Sequence, residues 1–207
     1  MSAPRCRHRS SRPLFRVFGW LVLWLLLVPT VDAAVDDSIA QADAERALAE
    51  IRIDQLNFTA ENLARSDPSR AEQLASDAFV GARDSGYESG RIEALHNLGR
   101  IARLRGQLQA ASGYLLEALS AAEALGDPRL IAKVGNSYGT VLERQGLDAE
   151  ALDRHQRVQN LWRDLDDLPG LIASSINIAR VFERRQAWND AQRHYEAALS
   201  QYDTYPN

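Results

Sequence analysis

The feature that most constrains the fold of this 207-residue chain is a repeat with a stride of forty residues. Residues 97–111 read NLGRIARLRGQLQAA, residues 137–151 read SYGTVLERQGLDAEA, and residues 177–191 read NIARVFERRQAWNDA. Alanine recurs at four positions with this stride, Ala71, Ala111, Ala151 and Ala191. Other registers agree at the same stride, so the chain is an internal repeat array and not merely rich in alanine.

Each unit has the pattern of two helices. From Ile92 to Leu104, apolar residues recur at spacings of three and four, which predicts one apolar stripe along a helix. The pattern is interrupted at 105–107, resumes over 108–125, and is followed by Asp127 and Pro128, which suit the cap and first turn of the next helix. No stretch of the sequence alternates with period two for long enough to form a strand. The sequence therefore predicts an all-α chain.

These units resemble the tetratricopeptide repeat in a forty-residue form. That family has a Leu-Gly pair within its first helix, a glycine at the turn, and two alanines in the second helix; Leu98-Gly99, Gly106, Ala111 and Ala118 match this pattern, and later units match it with substitutions. The resemblance implies a right-handed α-solenoid of stacked antiparallel helix pairs. We expect an N-terminal cap and degenerate first repeat at 36–86, and repeats at 87–126, 127–166 and 167–207. The last repeat stops without a capping helix, which leaves open that it is truncated.

The N-terminus differs in kind from the repeats. Five arginines precede the apolar stretch Trp20–Val28, and small residues lead to Ala33. This order predicts a secretory signal peptide at 1–33 that precedes the solenoid. The uncharged run from Val17 to Val31 is shorter than the roughly 20 residues of a spanning helix, so an uncleaved N-terminal anchor is the second reading. We expect an exported, periplasmic protein, with an inner-membrane anchor as the alternative.

Cleavage after Ala33 would change the charge of the chain. It would leave 19 basic and 27 acidic side chains, a net charge of −8 against −4 for the whole chain. An acidic exported protein repels nucleic acid and anionic lipid. We therefore expect no nucleic-acid partner, and membrane contact only through an uncleaved N-terminal segment. Cys6, the only cysteine, would also be lost, which excludes disulfides and thiol chemistry from the mature chain.

The sequence lacks the motifs of common catalytic sites. It contains no phosphate-binding glycine loop, no His-Glu-x-x-His and no Gly-x-Ser-x-Gly. His96, His155 and His194 follow the predicted cleavage site, and no two of them share an i, i+4 face. We therefore expect no catalytic residue, no metal site and no cofactor. Trp162 and Trp188 fall at helical positions, where we expect them to pack in the core.

The resemblance directs attention to the first helix of each unit, because in this family the first helices line a concave groove that holds an extended peptide or a partner helix. An amide can bond both peptide N–H and C=O, and a guanidinium can hold a carboxylate in a two-pronged geometry. Transferred by position, the expected exposed, partner-binding residues are Asn97, Arg100, Arg103, Ser137, Thr140, Asn177 and Arg180. In the alternative reading, the arginines are solvated and the asparagines are inherited from the repeat pattern.

The function implied by the resemblance is that of a non-catalytic protein–protein interaction scaffold, here acting outside the cytoplasm and binding a peptide or protein in its groove. The alternative is the periplasmic sensory N-terminal region of a membrane signalling enzyme, such as a diguanylate cyclase or kinase. Exported arrays with a degenerate first unit carrying Ser-Asp-Pro, here 66–68, often precede such enzymes. A small hydrolase is disfavoured because the sequence shows no nucleophile constellation.

Overall fold

The computed structural model describes residues 15–203 of the chain, with side chains described from Ser38 onward. This part of the chain is all-helical, as the sequence predicts, and contains no strand. Its eight helices are α1 (Phe15–Leu63), α2 (Pro68–Ser85), α3 (Glu88–Leu104), α4 (Leu108–Leu125), α5 (Pro128–Gln145), α6 (Asp148–Asp164), α7 (Leu168–Arg184) and α8 (Trp188–Asp203).

The chain divides into two units, residues 1–47 and residues 48–207. The described part of the first unit, residues 15–47, is helical throughout. The predicted signal peptide at 1–33 lies outside the residues whose side chains are described, so both its cleavage and its use as an anchor stay predictions. Among the residues that are described in full, no helix combines the length and the apolar character needed to cross a membrane. The repeat array lies in the second unit.

The helices of the second unit are separated by turns with a period of twenty residues. The six turns from Gly86 onward each contain one residue with a left-handed backbone: Gly86 (φ 69°), Gly106 (76°), Gly126 (73°), Gly146 (79°), Asp166 (52°) and Gln186 (57°). The amide of the following residue donates to the carbonyl five residues earlier in all six turns, at 2.8–3.3 Å. These are Schellman C-caps, which satisfy carbonyls that a helix end would leave unpaired. A forty-residue unit is therefore two helices of nearly equal length.

Aspartates cap the N-terminal ends of three helices, α2, α5 and α7. The carboxylates of Asp67, Asp127 and Asp167 accept hydrogen bonds from the amides of the first helical turn, and a proline occupies the first or second position of each helix. Tyr87 holds the corresponding position before α3 and makes no side-chain cap. The sequence signals at 127–128 thus act as predicted.

Short turns join neighbouring helices into antiparallel pairs, and the pairs stack into an α-solenoid. Each helix from α2 to α7 packs on the next one in the chain. In addition, α3 contacts α5 and α5 contacts α7, whereas no Cα of α4 lies within 8 Å of α6, nor any of α6 within 8 Å of α8. The first helices are therefore crowded together and the second helices are spread apart. This places α3, α5 and α7 on the inner, concave side of the stack; its right-handedness stays a prediction.

Small residues at fixed positions let the two helices of a pair approach closely. The alanines at the forty-residue stride, Ala71, Ala111, Ala151 and Ala191, are all buried. A Cβ on Gly99 would lie 2.6 Å from Leu115, and one on Gly139 would lie 2.5 Å from His155. The expectation for the tryptophans is half right: Trp162 packs against Gly170, but Trp188 is exposed and does not join the core. It lies on the last helix, where no described residue covers it.

Candidate functional site

The candidate site is the inner surface of the second unit, which we define as the faces of α3, α5, α7 and residues 48–63 of α1. Helices α3, α5 and α7 run in the same direction, because each is followed by an antiparallel partner. Their C-terminal ends therefore lie along one edge of the surface. Successive helices are joined across this surface by side-chain contacts between residues about forty positions apart. The inner surface is thus both the predicted groove and a structural interface.

The two predicted binding asparagines are buried, which corrects the expectation that they are exposed. Asn97 is 2% exposed and donates from Nδ2 to the carbonyl of Asn57 at 3.0 Å, and Asn177 is 8% exposed and donates to Asn136 Oδ1 at 2.6 Å. The physical reason is that an inner helix is covered on both flanks by its neighbours, so a position one turn from the groove faces the preceding unit. Both amides connect adjacent units.

Ser137 and Thr140, the shorter residues between these asparagines, are half-buried. Ser137 Oγ lies 2.8 Å from His96 Nε2, and Thr140 Oγ1 donates to the carbonyl of Asn136 at 3.1 Å. Burial lowers the pKa of His96, so its ring is neutral near pH 7. These two hydroxyls have partners within the protein.

Arg100 and Arg180 are paired with carboxylates of the preceding unit. Arg100 Nη1 donates to Glu61 Oε1 at 2.6 Å, and Arg180 Nη2 donates to Glu143 Oε2 at 2.7 Å. Glu143 is buried and also lies 2.8 Å from His155 Nε2. Burial alone would raise the pKa of Glu143, but its hydrogen bonds with His155 and Arg180 outweigh this and lower it. Glu143 therefore stays ionised and neutralises Arg180.

Arg103 stands apart from the other predicted residues. It is half-buried in the last turn of α3, and no described side chain forms an ion pair or hydrogen bond with its guanidinium. Burial lowers the pKa of Arg103, and four other guanidiniums lower it further because like charges repel: Arg144, Arg100, Arg65 and Arg180. We call these five residues the arginine cluster. Only two of the five have carboxylate partners among the described side chains, so the cluster carries an uncompensated positive charge.

A pocket whose charged lining residues are mostly acidic lies closer to the N-terminal ends of the same helices. Its volume is about 200 Å³, and its lining residues are Asp54, Asn57, Phe58, Glu61, Glu93 and Lys133. Lys133 Nζ lies 2.7 Å from Glu93 Oε2. Burial would raise the pKa of Glu93, but His96 and Lys133 outweigh it and lower the pKa to about 2. The inner surface is therefore acidic near this pocket and basic at the arginine cluster.

Sequence reasoning missed two members of the cluster, Arg65 and Arg144. Both lie at C-terminal ends of first helices, Arg144 within the last turn of α5 and Arg65 just after α1. Arg103 belongs to the same series. The sequence signal for them is the recurrence of arginines near the end of each first helix, whereas the predicted residues lie mainly in the middle of those helices. Among the described residues, no cluster of three or more His, Cys, Asp and Glu side chains could hold a metal ion.

Comparison with family models gives two matches. Residues 94–129 and residues 130–204 match two different models that share the description "tetratricopeptide repeat". Together these segments cover more than half of the chain and include α4 to α8 and most of α3. No curated protein sequence matches the chain.

Comparison with solved structures finds helical-repeat proteins of low sequence identity. Aspartyl phosphate phosphatase F from Bacillus subtilis has a TM-score of 0.66 at 16% identity, over 73% of this chain and 41% of that one. BtubC from P. vanneervenii has a TM-score of 0.65 at 20% identity, over 77% and 68%. A Rap protein complexed with competence and sporulation factor has a TM-score of 0.67 at 14% identity, over 72% and 43%. The chain thus spans only about two fifths of the length of the phosphatase and the Rap protein, and at these identities the likeness concerns the fold.

Proposed function

The chain belongs to the tetratricopeptide repeat family, and from this premise we propose that it is a non-catalytic scaffold that binds a peptide or protein on its inner surface. Stacked helix pairs form an extended concave face that suits an elongated partner. A Rap protein of similar fold has been crystallised with competence and sporulation factor. The family and this neighbour support the general role, and the chemistry of the inner surface indicates what kind of partner it takes.

The observation that carries the proposal is the uncompensated charge at Arg103. A guanidinium that is partly removed from water loses hydration, and the neighbouring guanidiniums increase the cost of keeping it there. An anionic group of a ligand would restore the balance and could accept two parallel hydrogen bonds from an arginine. We therefore assign the arginine cluster the role of binding a side-chain carboxylate of the partner, from an aspartate or a glutamate.

The other predicted residues have supporting roles in this proposal. Arg100 and Arg180 contribute positive charge while Glu61 and Glu143 fix their positions. Ser137 and Thr140 line the space between them. Asn97 and Asn177 hold adjacent units in register from within the protein. Arg103 is the one predicted residue whose side chain forms no hydrogen bond or ion pair with any described residue.

A binding measurement with two labelled peptides tests the proposal. The probes are fluorescein-labelled octapeptides in which alanine alternates with aspartate or with asparagine, and fluorescence anisotropy gives their affinities for the full chain. We expect the aspartate peptide to bind about tenfold more tightly, which corresponds to about 1.4 kcal/mol. Arg103→Gln should abolish this preference.

The matched control is Arg157→Gln, which makes the same change on α6. Arg157 is exposed and pairs with Asp153 on its own helix at 2.9 Å, so its loss should leave the preference intact. Equal affinity for the two peptides, including no binding of either, would contradict the proposal. So would a preference that survives in Arg103→Gln.

We propose further that the scaffold works outside the cytoplasm. The support is the sequence pattern of residues 1–33, with its basic lead, apolar core and small residues before Ala34. The intact mass of the protein isolated from its own cells tests this. A species that lacks residues 1–33 supports export with cleavage, and an uncleaved soluble protein contradicts it. A heavier, membrane-bound species would instead favour the sensory region of a membrane signalling enzyme.

A further inference from the structure

The last helix presents a row of apolar side chains to solvent. Trp188, Tyr195, Leu199 and Tyr202 are 62%, 38%, 61% and 63% exposed. Their spacings of seven, four and three residues place all four on one side of α8. The end of a helical-repeat array normally carries a polar outer face, because no further unit covers it. The face of α8 therefore has the character of an interface and not of a cap.

The equivalent faces of the earlier second helices are covered by the following unit. Leu115, Leu119 and Ala122, which are eighty residues before Tyr195, Leu199 and Tyr202, are buried in one cluster with residues of α5. In α6, Gln159 donates to Ser175 Oγ of α7 at 2.9 Å, and the ring of Trp162 packs against Gly170 of α7. We call this face of a second helix the back face. On α8 the back face has its apolar side chains, but no described residue covers it.

The first helix of the array presents the complementary face to solvent. Leu48, Ile51 and Phe58 of α1 are 66%, 54% and 69% exposed and lie on one side of the helix. Phe58 is equivalent to Leu98, which packs in one cluster with Ala71 and Ala75 of the preceding α2. We call this face of a first helix the front face. In the next two units, Leu98 packs on α2, and Ile131 and Tyr138 pack against the cluster that contains Leu115 and Leu119 of α4.

Polar contacts follow the same pattern. Three side chains near the C-terminal ends of first helices reach the second helix of the preceding unit: Arg105 contacts Glu72, Gln145 contacts Ser112, and Arg184 contacts Asp148. Arg65 is the equivalent of Arg105 on α1; it is exposed and forms no ion pair with a described side chain. The position on α8 that corresponds to Glu72 and Ser112 is Gln192, an exposed residue.

We propose that a second copy of this chain covers the back face of α8 with the front face of its α1, so that copies associate end to end. The two uncovered faces are the two halves of the contact that the array already forms three times within one molecule. The partner of each face is therefore supplied by the same chain, and the register places Phe58 of one copy against Ala191 and Tyr195 of the next. The contact joins two different surfaces, so it can extend beyond two copies. This inference does not depend on ligand binding at the arginine cluster.

Sedimentation velocity of the full chain over a range of concentrations tests the inference. We expect species heavier than the 23.0 kDa monomer that increase with concentration. Leu199→Glu removes the back face and Phe58→Glu removes the front face, and each alone should weaken association at least tenfold. The control is Leu116→Glu on α4, which places glutamate at the position equivalent to Glu196 and should associate like the parent chain. Circular dichroism verifies folding, and Leu199→Ser serves if the charged variant is unfolded.

Mixing the two variants distinguishes end-to-end stacking from other modes. Each variant retains one intact face, so an equimolar mixture should form a species of two chains and no larger one. A parent chain that stays monomeric up to about millimolar concentration would overturn the inference. Association that survives both substitutions, or that depends on Leu199 but not on Phe58, would overturn it too, because the second result indicates two α8 helices packed together.

Discussion

Nε2 of His155 lies 2.8 Å from Oε1 of Glu143, and both side chains are buried. Because an ionised carboxylate only accepts hydrogen bonds, this ring nitrogen carries the proton. The second carboxylate oxygen accepts from Arg180 of the next unit. A single buried carboxylate thus connects α5 both to its partner helix and to the following unit.

Glu143→Gln should therefore destabilise the array. The substitution replaces hydrogen bonds to a charged acceptor by weaker neutral ones and leaves Arg180 without its carboxylate, so we expect the free energy of unfolding to fall by about 2 kcal/mol. Urea denaturation measures this. Glu123→Gln, at an exposed position on α4, is the control and should change stability by less than about 0.5 kcal/mol. Equal effects of the two substitutions would show that the buried contacts contribute nothing.

Stability should fall in acid in a way that depends on Glu93. Its pKa is about 2 in the folded protein against 4.5 as the ordinary value, so the unfolded chain binds the proton more readily. The contribution of Glu93 is then fully present above pH 4.5 and is lost as the pH falls from 4.5 towards 2. In Glu93→Gln this part of the pH dependence should be missing, a difference of up to about 3 kcal/mol. Unfolding curves from pH 6 to 2.5 measure it, and parallel pH profiles for the two proteins would refute it.

Two glycines in helices should respond in opposite ways to alanine. A Cβ at Gly139 would lie 2.5 Å from the ring of His155, so Gly139→Ala should cost about 1–3 kcal/mol through overpacking. Gly113 in α4 has no atom within 4 Å of the same position, and Gly113→Ala should stabilise the protein by about 0.5–1 kcal/mol. Thermal denaturation of both variants checks the pair. The explanation from close helix approach fails if the two melting temperatures shift in the same direction.

Replacement by glycine should stabilise the protein at the two left-handed turn positions that lack one. Gln186 and Asp166 have φ of 57° and 52°, a conformation that glycine adopts without steric cost. Gln186→Gly should raise the free energy of unfolding by about 1 kcal/mol, and Asp166→Gly by less, because aspartate tolerates this region better. Ala187→Gly, one residue further on, is the control and should not stabilise. A loss of stability in Gln186→Gly would contradict the turn geometry.

Substitutions of the buried Asn97 and of the half-buried Arg103 should affect different properties of the protein. Asn97→Ala removes a hydrogen bond to the carbonyl of Asn57 and should lower the free energy of unfolding by about 1 kcal/mol. It should leave the affinity for the aspartate peptide within about twofold of the parent chain. Arg103→Gln should show the reverse. A large loss of peptide affinity in folded Asn97→Ala would show that Asn97 contributes to peptide binding.

The helical architecture could be predicted because it depends on local signals. The apolar spacing of three and four, the turn glycines and the Asp-Pro start at 127–128 each act within a few residues. The turns at Asp166 and Gln186 show where this reasoning stops, because both residues have a left-handed backbone that glycine adopts more readily than either of them. Asp166 and Gln186 lie forty residues after the turn glycines Gly126 and Gly146, so the repeat predicts these turns although the residue types do not.

The inner surface was harder to predict because its contacts join residues about forty positions apart. Helical periodicity marks the face that packs on the partner helix, but Asn97 is buried by a second contact with the preceding unit. For the same reason, helical periodicity does not predict that Glu61 pairs with Arg100 and Glu143 with Arg180. Only the pairing of neighbouring units reveals that Arg103 is left with its charge uncompensated. Trp188 is likewise exposed, although its place in the helical pattern predicts packing in the core.

The contacts among α3, α5 and α7, without matching contacts among α4, α6 and α8, also determine how the array deforms. Because the inner helices contact one another and the outer helices do not, we expect the array to bend mainly through changes in the distances between the outer helices. Bending stiffness therefore resides in the same side chains that line the groove. A ligand that tightens the inner contacts would change the curvature, and a small change per unit would add up to a larger displacement at the two ends.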